Sequence, residues 1–202
     1  MRSLSEIETV SKRASRAAGF SWGEAEEIGK NIRLLEMFGF SGIKTLSIYL
    51  LEKKQNNFQN LKLLSDMNNT NDKLFCPISI GINFLDQAET IKHNKITFNK
   101  AGYPLLILPF LSRSSEIIGK KIELKFNQMK FILNLNLSIY SNCDLLNEIK
   151  DAQNIEINFL ENRDNFSESD WKNLYSLSEE TFVEETDSLK QSSAGAGLTD
   201  ND

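Results

Sequence analysis

Apolar residues recur every three or four positions through the first third of the chain, which is the spacing of an amphipathic α-helix. Serines stand where three such stretches begin, and Gly19 and Gly39 stand where a left-handed residue ends a helix. Ser3 and Ser21 are each followed three residues later by a glutamate, which is the capping-box pattern. The pattern predicts three helices, over about residues 4–18, 22–38 and 42–54.

Small side chains occupy the predicted inner faces of the first two helices. They are Ala14, Ala17 and Ala18 on the first helix, and Ala25 and Gly29 on the second. Small residues allow two helix axes to approach closely. We therefore predict that Trp22 and Gly29 are buried where these helices meet, and that the three helices form one compact unit.

The pattern changes after a polar, asparagine-rich connection at residues 56–73. The run 76–82 alternates like a strand, but Pro77 suits the first position of a helix, and the helical interpretation is favoured. Residues 95–98 and 103–108 are predicted as strands, the second entered through Pro104. Pro109 is predicted to start a helix that Gly119 ends.

Two alternating segments, 121–126 and 131–139, flank a predicted turn. The alternation predicts a hairpin with one wet face, on which Lys125 and Lys130 are exposed. The side chains predicted to point inward from the second segment are Phe131, Leu133, Leu135, Leu137 and Ile139.

Residues 155–159 predict another strand, and Ser167 is placed to cap a last helix that runs to about Glu184. The predicted fold class is α+β: an N-terminal three-helix unit, a mainly antiparallel β-sheet with packed helices, and a C-terminal helix. We expect a single domain over residues 1–190, with a helical part at 1–55 and a mixed part at 74–190. Residues 191–202 are expected to form a flexible tail.

Charge and hydropathy restrict the class of partner. The 202 residues carry a formal net charge of -5, so the field of the whole chain repels polyanions, and we expect no nucleic-acid partner. The longest apolar stretch, residues 105–111, is far shorter than the roughly 18 residues of a membrane-spanning helix, and it contains Pro109. The N-terminus lacks the apolar region of a secretory signal. We therefore expect no membrane association and a cytoplasmic location.

The residues that most often carry metal or cofactor chemistry are scarce. Cys76, Cys143 and His93 share no motif, so no metal site and no cofactor is expected, and both cysteines are interpreted as structural. The chain has neither a phosphate-binding glycine loop nor a nucleophile elbow. His93 lies in a polar run, which favours a solvated loop residue over a catalytic base.

Three arginines are the candidate ligand-binding residues. Arg13 and Arg16, with Lys12, form the densest basic cluster, and Arg113 follows an apolar segment. A guanidinium matches a carboxylate or phosphate bidentately, which points to a small anionic metabolite. The alternatives are a solvated helix face that pairs with nearby glutamates and, for Arg113, a structural salt bridge.

Four aromatic residues flank the predicted helical turns. They are Phe20, Trp22, Phe38 and Phe40. They can form the wall of a ligand site. Packing against the first turn of a helix also explains them, and this interpretation is favoured.

The C-terminal segment crowds hydrogen-bond acceptors into a few residues. It is formed by Gly195, Gly197, Thr199, Asp200, Asn201 and Asp202. Its composition favours disorder in isolation. It can also dock on Arg13 or Arg16, of its own chain or of a neighbour, and this is favoured over binding Mg²⁺.

Four strings carry a family resemblance. They are residues 17–27 around Gly-Phe-Ser-Trp-Gly, Cys76-Pro77-Ile78 with Gly81, residues 104–110, and residues 193–202. Together they resemble the bacterial domain of unknown function 3726 family, over nearly the whole chain. The resemblance implies a one-domain cytoplasmic bacterial protein, and it carries over no catalytic residue.

Two functions are compatible with these residues. The first is a non-catalytic ligand-binding or accessory subunit in small-molecule metabolism, which binds a protein partner or self-associates through its helical unit. The second is a small cofactor-independent enzyme acting on a carboxylated metabolite, with Arg13, Arg16 or Arg113 as anion anchor and an acidic group for proton transfer. The first is preferred.

Overall fold

The computed structural model describes residues 2–55, 58–91, 94–142 and 149–182. The chain divides into two compact units, Met1–Asn162 and Arg163–Asp202. This boundary falls inside the domain expected over residues 1–190, whose extent stays a prediction.

Five helices and eight strands lie among the described residues of the first unit, and the α+β fold class is confirmed. The helices are α1 (Leu4–Ala17), α2 (Trp22–Met37), α3 (Gly42–Lys53), α4 (Pro77–Gln87) and α5 (Leu108–Ile118). The strands are β1 (Phe58–Gln59), β2 (Met67–Asn68), β3 (Leu74–Phe75), β4 (Lys95–Gly102), β5 (Ile122–Phe126), β6 (Met129–Asn134), β7 (Ser138–Ser141) and β8 (Asp151–Phe159).

The N-terminal helices begin and end close to the predicted positions, although the Ser3 box is incomplete: Ser3 accepts from the Glu6 amide, while the Glu6 carboxylate accepts from Arg2. Ser21 and Glu24 form a complete capping box, and Gly19 and Gly39 adopt left-handed φ angles of 94° and 82° after α1 and α2. Ser41 precedes α3 but its side chain makes no cap hydrogen bond. The Glu36 side chain accepts from the Ile43 amide instead, at 2.7 Å.

The first two helices approach most closely at Gly29, as predicted. A Cβ atom on Gly29 would lie 2.8 Å from the Glu8 carbonyl oxygen and 3.2 Å from Lys12 Cβ. The side of α1 that packs here carries Ser15 rather than the predicted alanines, since Ser15 is buried whereas Ala14 and Ala17 are exposed. The prediction was therefore wrong for Ala14 and Ala17, whereas Ala18 is half-buried against the core and Ala25 is fully buried.

Trp22 is 61% exposed, so the prediction that it is buried at this crossing was also wrong. It is the first residue of α2, two helical turns before the close approach at Gly29. The Arg16 guanidinium lies over its ring, 5.3 Å from the centroid.

The sheet has the order β1-β3-β4-β8-β5-β6-β7, and β2 pairs with β4 off this path. All pairings from β4 to β7 are antiparallel, and the two-residue strands β1, β2 and β3 pair in parallel. One apolar cluster joins α2, α3, α4 and α5 to the sheet, with Ile28, Tyr49, Phe84 and Phe110 fully buried.

The hairpin of β5 and β6 is confirmed, with Phe131 and Leu133 buried. The predicted continuation of its inner face was wrong, because Leu135 and Asn136 adopt left-handed φ angles and end the strand. Leu137 is consequently exposed, but Ile139 of β7 packs on the core opposite Leu133, so its inward direction is as predicted.

Glu123 lies on the polar face of this hairpin and its carboxylate is buried between two lysines. Lys125 Nζ lies 2.5 Å from it, Lys130 Nζ contacts the second oxygen, and the Asn158 amide donates at 3.3 Å. Burial alone would raise the pKa of Glu123, but the two ammonium groups outweigh burial and lower it. Lys130 is exposed as predicted, and Lys125 is half-buried.

Residues 103–108 do not form the predicted strand. Tyr103 has a φ of 45°, and Pro104–Ile107 is a 3₁₀-helix that leads into α5. An apolar run buried on all sides has no periodicity that separates a strand from a helix, and the fixed φ of Pro104 suits a helical first turn. The predicted helical start at Pro77 is confirmed, as are the strand at residue 95 and the helix end at Gly119.

Side-chain amides order the polar connection between α3 and α4. Asn68 is buried, and its Nδ2 donates to the carbonyl oxygens of Ser65 at 2.7 Å and Thr97 at 3.1 Å. Asn99 of β4 accepts from the Thr70 amide and donates to the Thr70 carbonyl. These asparagines act together with Phe58, Leu61 and Leu64, which pack against the core.

The described part of the second unit contains α6 (Glu168–Glu179). Ser167 and Asp170 form a capping box at its start, as expected for a serine in this position. The helix ends at Glu179, before the predicted Glu184.

Candidate functional site

Arg113 does not point to a free ligand site in the structure. Its Nη1 donates to Glu27 Oε2, and this salt bridge joins α5 to α2. Both side chains are about three-quarters buried. The guanidinium is therefore engaged by the protein itself.

Glu27 is the centre of a network of charges along α2. Lys30 donates to Glu27 at 3.0 Å and also contacts Glu26, which pairs with Lys12 of α1. Burial alone would raise the pKa of Glu27, but the hydrogen bonds from Arg113 and Lys30 outweigh burial and lower it. The lowered pKa keeps Glu27 ionised at neutral pH, and the network links α1, α2 and α5.

Arg16 is also engaged. Its Nη1 donates to the Phe20 carbonyl at 2.9 Å while the guanidinium covers Trp22. Arg13 differs, because it is exposed and makes no hydrogen bond or ion pair to any described residue. The structure therefore does not bring the three predicted arginines together.

Several predicted residues lie outside the described part of the chain. They are His93, Cys143, Gly195, Gly197, Thr199, Asp200, Asn201 and Asp202. Docking of the C-terminal segment on Arg13 or Arg16 stays a prediction.

Of the four aromatic residues near the helical turns, Phe20 and Phe40 pack in or against the core, whereas Trp22 is exposed. Phe20 is buried against Tyr49, and Phe40 packs on the edge of Phe131. Cys76 is a buried free thiol, 3.0 Å from the Tyr49 hydroxyl. Burial and then the nearby sulfur raise the pKa of Tyr49. Within the described ranges, no three His, Cys, Asp or Glu side chains are grouped to hold a metal ion.

An apolar groove of about 440 Å³ runs between α1 and α3. We call it the α1–α3 groove. Leu46 and Leu50 form its buried floor, Val10 and Ala14 line the α1 side, and Leu51 lines the α3 side. Val10 is 58% exposed and Leu51 is 63% exposed, so apolar side chains remain open to solvent along both walls.

Three cations lie in or beside the groove, and the carboxylate of Glu6, four residues before Val10, is paired with Arg2. Lys54 lies at one end, and Arg13 neighbours Val10 and Ala17 at helical spacings of three and four. Lys44 flanks Ser47 on α3 in the same way. None of these three cations has an ion-pair partner among the described residues.

A larger concavity of about 610 Å³ lies along the polar connection. Three of its polar lining residues are already engaged, since Asn68 bonds to Ser65 and Thr97, and Gln59 accepts from Thr70 beside it. The α1–α3 groove is the better candidate, because its apolar walls and the three cations are both unpartnered within the described structure.

The groove was not predicted from the sequence. The apolar stripe of α1 and the adjacent Arg13 are visible in the sequence, but the stripe was expected to lie in the interior. The signal that favours the groove is composition. Alanine and serine fill most of the α1 stripe, and such small side chains cannot close the gap to a neighbouring helix.

The match to a known family covers only the N-terminal part of the chain. Among the described residues, no helix is both long enough and apolar enough to cross a membrane. No curated protein and no solved structure matches the chain. We expected the family resemblance to extend over nearly the whole chain, but the matched range ends at residue 74, before three of the four strings that suggested it. Over residues 2–74, which include α1, α2 and α3, the chain resembles the family described as protein of unknown function (DUF3726).

Proposed function

We propose that the chain is a non-catalytic accessory subunit that binds an acidic amphipathic helix of a protein partner in the α1–α3 groove. The observation that carries this proposal is the combination of exposed apolar walls with nearby cations: Lys54 lines the groove, and Arg13 and Lys44 are exposed at helical spacings from lining residues. A helix with an apolar stripe and flanking carboxylates satisfies both features at once.

The dimensions of the groove suit a short helix. Its α3 wall runs from Ile43 to Lys54, which is three helical turns or about 16 Å. Ala14, Ala17 and Ser47 keep the walls low, so a third helix can approach at the usual distance of about 8–10 Å between axes.

The chemistry of the lining supports binding rather than catalysis. Lys54 is the one titratable side chain that lines the groove, and no carboxylate or imidazole faces it among the described residues. General acid–base catalysis needs several groups placed to exchange protons with the reacting atoms, and the groove lining offers Lys54 alone.

The alternative is a small enzyme that acts on a carboxylated metabolite. Arg16 and Arg113 already hold protein groups, which leaves Arg13 as the anchor that such an enzyme can use. No described observation favours this alternative over the accessory subunit.

Two designed helical peptides test the proposal. Both carry leucine at helical spacings of three and four, and one carries glutamate and the other lysine at the remaining positions. We expect the glutamate peptide to bind at least about tenfold more tightly at low salt, measured by fluorescence anisotropy. Equal affinity for the two peptides would contradict the proposal.

A matched pair of variants locates the binding surface. Ala14→Asp places a carboxylate on the exposed α1 wall, whereas Ser5→Asp adds the same charge on another side of the same helix. We expect Ala14→Asp to weaken binding of the glutamate peptide by about tenfold or more, and Ser5→Asp to leave it within about twofold. Binding that survives Ala14→Asp lies elsewhere and overturns the assignment to the groove.

A further inference from the structure

The second unit carries an amphipathic helix whose chemistry fits the groove. Trp171, Leu174 and Tyr175 lie on one side of α6, at spacings of three and four residues. Leu174 is 63% exposed. Within residues 163–182, only the Phe166 ring packs against this side, 5.8 Å from the Trp171 ring centroid. The apolar side of α6 nevertheless stays open to solvent, since Trp171 and Tyr175 are 51% and 52% exposed.

Carboxylates border the apolar side of α6. Glu168 and Glu179 are three residues before Trp171 and four residues after Tyr175, so each lies next to the apolar side on the helix surface. Within α6 the charged residues are Glu168, Asp170, Lys172 and Glu179, which gives three acids against one base. The three cations at the α1–α3 groove have the opposite sign.

We infer that α6 of a second copy of this chain occupies the α1–α3 groove. This inference rests on the proposed function and names the partner helix. The lengths agree, since Val10 to Ala17 on the groove wall and Trp171 to Ser178 on α6 both span two helical turns, about 10–11 Å. Trp171 and Tyr175 supply the large aromatic anchors that such interfaces favour.

Each copy has one groove and one α6, so two copies exchange two identical contacts. A reciprocal exchange of this kind closes a twofold-symmetric dimer and leaves no unpaired surface for further growth. Arg13, Lys44 and Lys54 of each copy then face carboxylates of the other, so association weakens as salt concentration rises.

The mass of the full chain in solution tests this inference. We expect light scattering after size exclusion to show a dimer for the wild type and a monomer for Leu174→Asp and for Ala14→Asp. The matched controls Asn173→Asp, which lies away from the apolar side of α6, and Ser5→Asp should stay dimeric. Melting curves followed by circular dichroism show that each variant is folded.

Mixing the two monomeric variants provides the sharper test. The Leu174→Asp chain retains an intact groove, and the Ala14→Asp chain retains an intact α6. An equimolar mixture should form a heterodimer through one native contact, whereas neither variant associates alone. A mixture that stays monomeric overturns the inference.

The outcomes separate the inference from the proposed function. A wild type that is monomeric at all concentrations, or a dimer that survives Leu174→Asp, overturns the inference. If the glutamate peptide still binds the groove in either case, the proposed function stands with another partner. If the peptide does not bind and the dimer also persists in Ala14→Asp, both are wrong.

Discussion

α1 contacts its two helical neighbours in opposite ways. On the α2 side, Gly29 lets the backbones approach so closely that a single added Cβ atom would lie 2.8 Å from the Glu8 carbonyl oxygen. On the α3 side, Val10 and Leu51 remain more than half exposed and leave the groove open. Packing on α2 therefore fixes α1 in place, and the apolar side of α1 that faces α3 remains free to bind a partner.

Ion pairs also join α1 to α2, but they do not account for the close packing of these two helices. Lys12 pairs with Glu26 at 3.2 Å and Arg33 pairs with Glu8 at 3.1 Å, and all four side chains are substantially exposed. Exposed pairs of this kind contribute about 0–1 kcal/mol each. The position of α1 depends mainly on close packing at Gly29, with the buried Ser15 on the same side.

The largest expected effect comes from filling the closed side. Gly29→Leu places a side chain where even a Cβ atom is too close to α1, so the helices must separate. We expect the free energy of unfolding to fall by about 1–3 kcal/mol, measured by urea denaturation. Gly23→Ala is the control on the same helix, because nothing lies within 4 Å of its added Cβ. An unchanged unfolding free energy for Gly29→Leu would show that α1 is not held there.

Removal of the salt bridge between α2 and α5 is expected to cause the second-largest loss of stability. The Arg113→Met variant leaves Glu27 half-buried with Lys30 as its one remaining cation. We expect a loss of about 1–2 kcal/mol at pH 7. Lys121→Met removes an exposed cation of the same charge and should change stability by less than about 0.5 kcal/mol.

The pH dependence of this loss identifies its origin. The pKa of Glu27 is lower in the folded chain than its ordinary value of 4.5, so its charge stabilises the fold above that pH. This contribution disappears as the pH falls through the folded pKa. The difference in stability between wild type and Arg113→Met should therefore be largest near pH 7 and shrink below about pH 4.5. A difference that is constant from pH 7 to pH 3.5 would assign the effect to lost packing.

Local signals in the sequence were sufficient for most elements of the fold. Ser21 with Glu24 and the glycines after α1, α2 and α5 determine where helices begin and end, because capping depends on residues only a few positions apart. The β5–β6 hairpin follows from alternation around a tight turn for the same reason. The strand prediction for residues 103–108 was wrong because these residues are apolar and buried on every side, so the sequence shows no periodicity that separates a strand from a helix.

The candidate site was harder to predict, because it depends on which side of α1 is covered. Periodicity identifies an apolar stripe but does not show whether another element packs on it. Arg113 illustrates the same limit, since its partner Glu27 is 86 residues away in the chain. Arg13 was identified as a candidate, but its relation to the groove depends on the placement of α3.

The smallest expected effect tests the open side of α1. Ala14→Leu enlarges an exposed side chain on the groove wall, where no neighbouring helix has to move. It should be made in a Leu174→Asp chain, so that self-association does not contribute to the measured stability. We expect the free energy of unfolding to change by no more than about 0.5 kcal/mol, while Gly29→Leu in the same background keeps its full cost. A loss above about 1 kcal/mol for Ala14→Leu would show that α1 packs against α3 as tightly as against α2. The groove would then be a crevice of a closed helical unit, with no room for a third helix.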